Sequence, residues 1–153
     1  MDAVVAQAMA KWPNVPAVYG WLSLDRRGNW LIKGEKIANQ ALREFISRNY
    51  EADATGCWYF QNGPQRVYVA LAYTPLVVHY DGDALIDHCG RRFQLEQTYI
   101  DDEGSVVMQG AGTIALLDDR DLFRFVDLAE SLQRIMRAEI ASRFAFVPEP
   151  KPA

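Results

Sequence analysis

The sequence is short of cysteine, with only Cys57 and Cys89 in 153 residues. Two thiols cannot build a disulfide framework and their spacing matches no zinc motif, so both are expected to stay reduced. Long apolar runs are also missing. Val67–Leu71 and Leu76–Val78 fall far short of the ~20 apolar residues that a bilayer crossing needs. Positive charge is in deficit: 16 Lys and Arg face 20 Asp and Glu, for a net charge of −4. That excludes a general electrostatic grip on a nucleic-acid polymer. Ten Gly and seven Pro carry no collagen-like or linker-like bias. Met1-Asp2-Ala3-Val4-Val5 lacks a basic, then apolar, leader, so the chain is expected to be cytoplasmic and without a membrane anchor. What is present is ordinary: 50% hydrophobic and 24% charged residues, the make-up of one globular domain or two small lobes.

Asp and Gly recur together. The spacing Asp-x-x-Gly occurs at Asp25–Gly28, Asp53–Gly56, Asp87–Gly90 and Asp101–Gly104, each time between strand-like segments. A type I turn followed by a left-handed residue joins two antiparallel strands, and that last position favours Gly. An Asp at the turn start accepts the backbone amide two residues on. The spacing therefore predicts four hairpin corners. Gln61-Asn62-Gly63-Pro64-Gln65 and Asp81-Gly82-Asp83 predict two more.

Helices are fewer. Asn39–Arg48 sets Leu42, Phe45 and Ile46, with Tyr50 beyond, on one apolar stripe with Asn39 as N-cap. A longer helix is expected over residues 119–144, where Leu122, Phe125, Val126, Leu128, Ala129, Leu132, Ile135 and Met136 form a broad stripe. Asp118, Asp119 and Asp121 gather at its start and Arg134, Arg137 and Arg143 towards its end, as the helix dipole favours. Residues 2–11 predict a short amphipathic helix stopped by Trp12-Pro13. The tail Pro148-Glu-Pro-Lys-Pro152 has nothing apolar to bury and is expected to be disordered or extended.

An internal duplication is also expected. Asp25…Gly28, Gly34, Leu42 and Phe45 are answered by Asp101…Gly104, Gly110, Leu122 and Phe125, at offsets of 76 and then 80. The fold class is α+β: mostly antiparallel β-hairpins in two related lobes, with one short and one long C-terminal helix. The expected lobes are residues 18–80 with the helix 39–49, and residues 81–146 with the helix 119–144. Residues 1–17 precede them, and a Pro-rich tail, residues 147–153, follows.

Little in the sequence carries chemistry. Asp87-His88-Cys89 brings three catalytic residue types together, but neighbours on a strand point apart and Asp87 already has a turn role. His79, Asp81, Asp83, Asp87, His88 and Cys89 lie close in sequence without zinc spacing, so a solvated acidic loop is the plainer reading. Gly110-Ala111-Gly112 lacks the rest of a phosphate loop and reads as a bend in a strand. No catalytic residue, metal ligand or cofactor is expected. The richest stretch is Gln61–Arg66 with Tyr68, Tyr73, Thr74 and Pro75, which mixes amides, an arginine and rings suited to a planar anionic ligand. Arg26, Arg27, Lys33, Lys36, Arg43 and Arg48 give the first half a basic bias. The four tryptophans, Trp12, Trp21, Trp30 and Trp58, are read as packing residues.

The runs Leu24-Asp-Arg-Arg-Gly-Asn-Trp-Leu-Ile-Lys-Gly34, Leu42-Arg-Glu-Phe45, Gly56-Cys-Trp-Tyr-Phe60, Arg66-Val-Tyr-Val69 and Thr74-Pro75 resemble uncharacterised proteobacterial families of domains of unknown function. The resemblance implies a duplicated β-rich core whose second lobe is similar to pleckstrin-homology folds. It also implies a nucleotide-based ligand held between the lobes and a role in signal transduction. The expected function is thus a non-enzymatic binding module for a small anionic or nucleotide-like molecule, contacted by Arg48, Asn62, Gln65 and Arg66, with Tyr50 or Tyr73 stacking. The alternative is a protein–protein interaction domain or homodimer through the long C-terminal helix, with Phe144, Phe146 and Val147 exposed near its end. An enzyme using His79, His88 or Cys89 is the third reading.

Overall fold

At each of the four Asp-x-x-Gly turns the aspartate holds the corner together. In the computed structural model, which describes Met1–Ala153, its Oδ1 accepts the amide four residues on. The donors are Asn29, Cys57, Arg91 and Ser105, at 2.8–3.0 Å. At Asp53, Asp87 and Asp101 the same oxygen also accepts the amide two residues on, at 2.9 Å. The closing glycines sit at φ between +80° and +87°, where a side chain is strained.

The chain forms two compact units. The first comprises Met1–Asp25, Asn29–Ala72 and Val147–Ala153, and the second Arg26–Gly28 and Tyr73–Phe146. The division therefore falls after Ala72 rather than after residue 80, because Leu76–Asp81 pairs only with strands of the second unit.

In the first unit the elements are α1 (Ala3–Lys11), β1 (Val18–Leu24), β2 (Trp30–Ile32), β3 (Glu35–Lys36), α2 (Gln40–Arg48), β4 (Tyr50–Ala52), β5 (Trp58–Asn62) and β6 (Gln65–Leu71). The sheet order is β3-β2-β1-β6-β5-β4. Asn39 caps α2 as expected, its Oδ1 accepting the Leu42 amide at 2.9 Å. Leu22, Leu24, Trp30, Ile46, Tyr50 and Val69 are the buried centre of this unit.

The second unit holds β7 (Leu76–Asp81), β8 (Ala84–Asp87), β9 (Gln97–Asp101), β10 (Val106–Gly110), β11 (Thr113–Leu117), β12 (Gln133–Ile135) and α3 (Arg137–Arg143). Its sheet order is β12-β9-β10-β11-β7-β8. Val78, Val107, Met108, Ile114, Ala115 and Ile140 are fully enclosed.

The two sheets share one plan. A hairpin, β1–β2 or β7–β8, is joined to a meander, β4–β5–β6 or β9–β10–β11, by a parallel pairing of first and last strands. The α+β class and the duplicated β-rich core are thus present, and each sheet is mixed rather than purely antiparallel. The correspondence differs from the expected one. The Asp53 turn is the counterpart of the Asp101 turn, and the counterpart of the Asp25 turn is Asp81-Gly82-Asp83. The same turn chemistry recurs at non-equivalent corners, so turn spacing alone misaligned the repeats. Helix α2 has no partner; the Asp87–Gly90 turn and an Ile86–Arg92 bridge occupy that interval.

The long helix over residues 119–144 does not form. Two 3₁₀ turns, Asp119–Phe125 and Ala129–Ser131, lead into β12, which pairs in parallel with β9 before α3 begins. The open edge of β9 offers hydrogen bonds and a buried berth for Ile135, at 3% exposure. Those gains outweigh a modest helix propensity. The tail is extended but docked: the Val147 amide donates to the Gly56 carbonyl at 2.9 Å, and the Leu71 amide to that of Pro148 at 2.7 Å. Pro150 is buried. Both cysteines are free thiols. No helix is long and apolar enough to cross a membrane.

Candidate functional site

Strand β1 carries an irregularity that shapes the first unit. Val18 pairs with Val67 and Leu22 with Val69, so β1 spends four residues where β6 spends two. Gly20, at φ +75°, lies inside this bulge. A Cβ there meets nothing within 4 Å, so the requirement is conformational. A bulge re-aims side chains. Here Tyr19 stacks on Tyr68 at 4.8 Å, while Trp21 and Leu22 both line an open cavity of about 440 Å³.

The cavity is a groove in which the β1, β5 and β6 strands meet α2. Leu42 and Ile46, one turn apart on α2, face Phe60 and Val67 across it. Ile32 adds β2, and Asn62 and Gln65, paired at the end of the β5–β6 hairpin, bring carboxamides. The Gln65 amide donates to the Pro16 carbonyl at 3.3 Å. Trp21 is 51% exposed, Ile32 38% and Leu42 37%. Lys33 sits at a left-handed φ of +49° in the β2–β3 turn, with its Nζ 4.3 Å from the centre of the Trp21 ring. A residue other than Gly or Asn is uncommon in that conformation.

The expected site residues are only partly gathered here. Asn62 and Gln65 line the groove. Arg66 does not, because consecutive strand residues face opposite sides. It lies on the other face of the sheet, its guanidinium carbon 3.9 Å from the centre of the Tyr59 ring and its Nη1 3.3 Å from the Tyr68 hydroxyl. On that face the Tyr59 hydroxyl donates to Glu51 and that of Tyr68 to Asp53, both at 3.0 Å. Burial, reinforced by the Glu51 bond, pushes Tyr59 up to about 12. Asp53 is held below the usual carboxylate range: burial opposes this, but bonds from Thr55, the Cys57 amide and Tyr68 prevail.

Arg48 is engaged by Asp2 at 3.2 Å. Tyr50 is 1% exposed, its ring wedged 4.9 Å from those of both Trp30 and Trp58, which leaves no face on which a ligand can stack. Tyr73 belongs to the second unit and is 7% exposed. Its hydroxyl donates to Asp101 at 2.7 Å, and burial together with that bond pushes it above the ordinary tyrosine range. Trp21, Ile32 and Leu42 were not singled out as site residues in the sequence. The signal that could have found them is Gly20: an isolated glycine within a strand pattern marks a bulge. Asp87 serves its turn as expected, and Phe146, expected on the surface, is 5% exposed.

No curated protein matches this sequence. Two crystal structures share the fold. A DUF1285 family protein from Silicibacter pomeroyi DSS-3 is similar with a TM-score of 0.54 and 19% identity, over 84% of this chain and 85% of its own. A DUF1285 family protein from Shewanella baltica OS155 is similar with a TM-score of 0.52 and 14% identity, over 69% of this chain and 90% of its own. The family model DUF2944, described as "Protein of unknown function (DUF2946)", matches residues 1–151. With nearly its whole length matched, the chain belongs to the DUF2944 family.

Proposed function

We propose that this protein is a binding module that holds a small planar molecule in the groove of its first unit. The ligand has an apolar body and an edge readable by amides, as the base of a nucleotide has. One observation carries the reading: Trp21, Ile32 and Leu42, all exposed, ring a single cavity. Apolar surface gathered around one concavity marks a binding site, whereas scattered apolar residues do not. A volume of about 440 Å³ with mostly apolar walls and a few polar groups is the usual make-up of a small-molecule pocket. Asn62 and Gln65 each offer a donor and an acceptor, and Lys33 brings positive charge beside Trp21 for an anionic substituent. The test is tryptophan fluorescence with adenosine, guanosine and their monophosphates, read against Trp21→Phe. Saturable quenching that disappears in the variant supports the groove. A response that is linear, or unchanged in Trp21→Phe, refutes it.

A second reading, self-association, is favoured by Phe123, Val126 and Leu128, exposed at 68%, 72% and 51%. These side chains belong to the 3₁₀ region that replaces the expected helix. Light scattering after size exclusion decides it: a monomer at every concentration removes this reading, and a dimer broken by Val126→Ser supports it.

A further inference from the structure

Helix α3 stops at a residue that does not suit the stop. The Phe146 amide donates to the Ala141 carbonyl at 3.0 Å and the Ala145 amide to that of Ser142 at 3.4 Å, the two bonds of a Schellman motif. The left-handed position of that motif, at φ +55°, is held by Ala145, where glycine is the common residue. An alanine there is strained, because its Cβ crowds the following carbonyl oxygen. The strain disappears if Ala145 turns right-handed and α3 runs on. Ala145 is exposed, so its methyl gives up no packing in that change.

The same residue is the hinge of the tail. Between Phe146 and Val147 the chain leaves the second unit and joins the first. Residues 147–153 are held there by a parallel bridge from Val147 to Cys57, by the amide bonds of Val147 and Leu71 and by the buried Pro150. These are backbone and apolar contacts, and a tail from another copy of the chain makes them equally well. Pro148, Pro150 and Pro152 fix their own φ. A released tail therefore stays extended and loses little freedom when it docks again.

We propose that residues 146–153 exchange between two copies of this chain, each tail docking on its partner as it docks on its own molecule. The exchange is symmetric, keeps every tail contact and relieves two strained hinges per dimer. Each left-handed alanine disfavours the closed form about fivefold or more, so two favour exchange about 25-fold or more. Set against an effective concentration of the order of millimolar for the tail on its own molecule, that places dimer formation at about tens of micromolar. The test uses the full chain carrying Cys89→Ser and Val147→Cys, which sets a thiol beside Cys57. Samples are equilibrated in mild denaturant at micromolar and near-millimolar concentration, returned to native buffer, oxidised with glutathione disulfide and run on a non-reducing gel. The concentrated sample should give a dimer linked between chains, and the dilute one a link within the chain. Light scattering on the unaltered chain, treated alike, should show the same dimer. Ala145→Gly, which removes the strain, should weaken it about 25-fold or more. A monomer at every concentration, a dimer unchanged by Ala145→Gly, or a dimer whose link to Cys57 stays within one chain overturns the proposal. The last is the result that association through Val126 alone would give.

Discussion

Replacing Asp101 by alanine tests whether burial decides what each Asp-x-x-Gly turn contributes. Asp101 is 2% exposed. Its Oδ1 accepts the amides of Glu103 and Ser105 at 2.9 and 2.8 Å, and its Oδ2 accepts the Tyr73 hydroxyl at 2.7 Å. Losing two amide bonds costs about 1 kcal/mol each, and stranding a hydroxyl where water cannot follow costs about 1–3 kcal/mol more, so Asp101→Ala should destabilise by about 3–5 kcal/mol. At about 2–4 °C per kcal/mol for a chain of this size, the melting temperature should fall by roughly 10 °C. Asp53→Ala removes the same kind of corner, but Tyr68 is only half-buried and water can replace its partner, so about 2 kcal/mol is expected. Urea unfolding followed by near-ultraviolet circular dichroism measures both, with the m-value checking that the unfolded state is unchanged. Adding Tyr73→Phe to Asp101→Ala should recover about 1 kcal/mol, since the stranded hydroxyl is gone. Equal losses at Asp101 and Asp53, or no recovery in the double variant, would refute the reasoning.

Tyr59, pushed up to about 12 by burial and then by Glu51, keeps its proton in the fold after an unfolded tyrosine has lost it. The stability it contributes is whole below about pH 10 and is lost as pH rises towards 12. Glu51→Gln should bring the Tyr59 ionisation down in a spectrophotometric titration; an unchanged curve counts against that bond. Gly110→Ala should cost more than Gly34→Ala, although only Gly34 has a left-handed φ, at +83°. A Cβ at Gly110 would meet the Gln94 carbonyl oxygen at 2.3 Å and the Phe93 ring at 2.6 Å, while at Gly34 it meets nothing within 4 Å. Overpacking against backbone should cost about 1–3 kcal/mol or more, against about 1–2 kcal/mol for the left-handed alanine, and thermal melts rank them. Deleting residues 147–153 should destabilise the first unit by removing the bonds to Gly56 and Leu71. Hydrogen exchange at the Leu71 amide reports it, and unchanged protection would argue against docking.

The turns were legible because their chemistry is local: an aspartate, its own next amides and a left-handed glycine lie within five residues. Asn39 and the stripe of α2 were legible for the same reason. Residues 119–144 were misread because an apolar stripe states a period without naming what it will pack against; the edge of β9 claimed Gln133–Ile135 instead. The site was half legible. Asn62 and Gln65 share the groove, yet Arg66, one residue further on, lies across the sheet from them, and Tyr50 and Tyr73 are spent on packing.

By itself the sequence determined the corners, the α+β class and the repetitive β-rich plan, all of which depend on contacts a few residues apart. Only the tertiary structure decided the true correspondence of the repeats, the parallel seams, and which side chains meet. Those depend on strand pairings across tens of residues and on the bulge at Gly20, which turns Trp21 into the groove. The glycine that permits the bulge is visible in the sequence; the face it selects exists only once β1 has found β6.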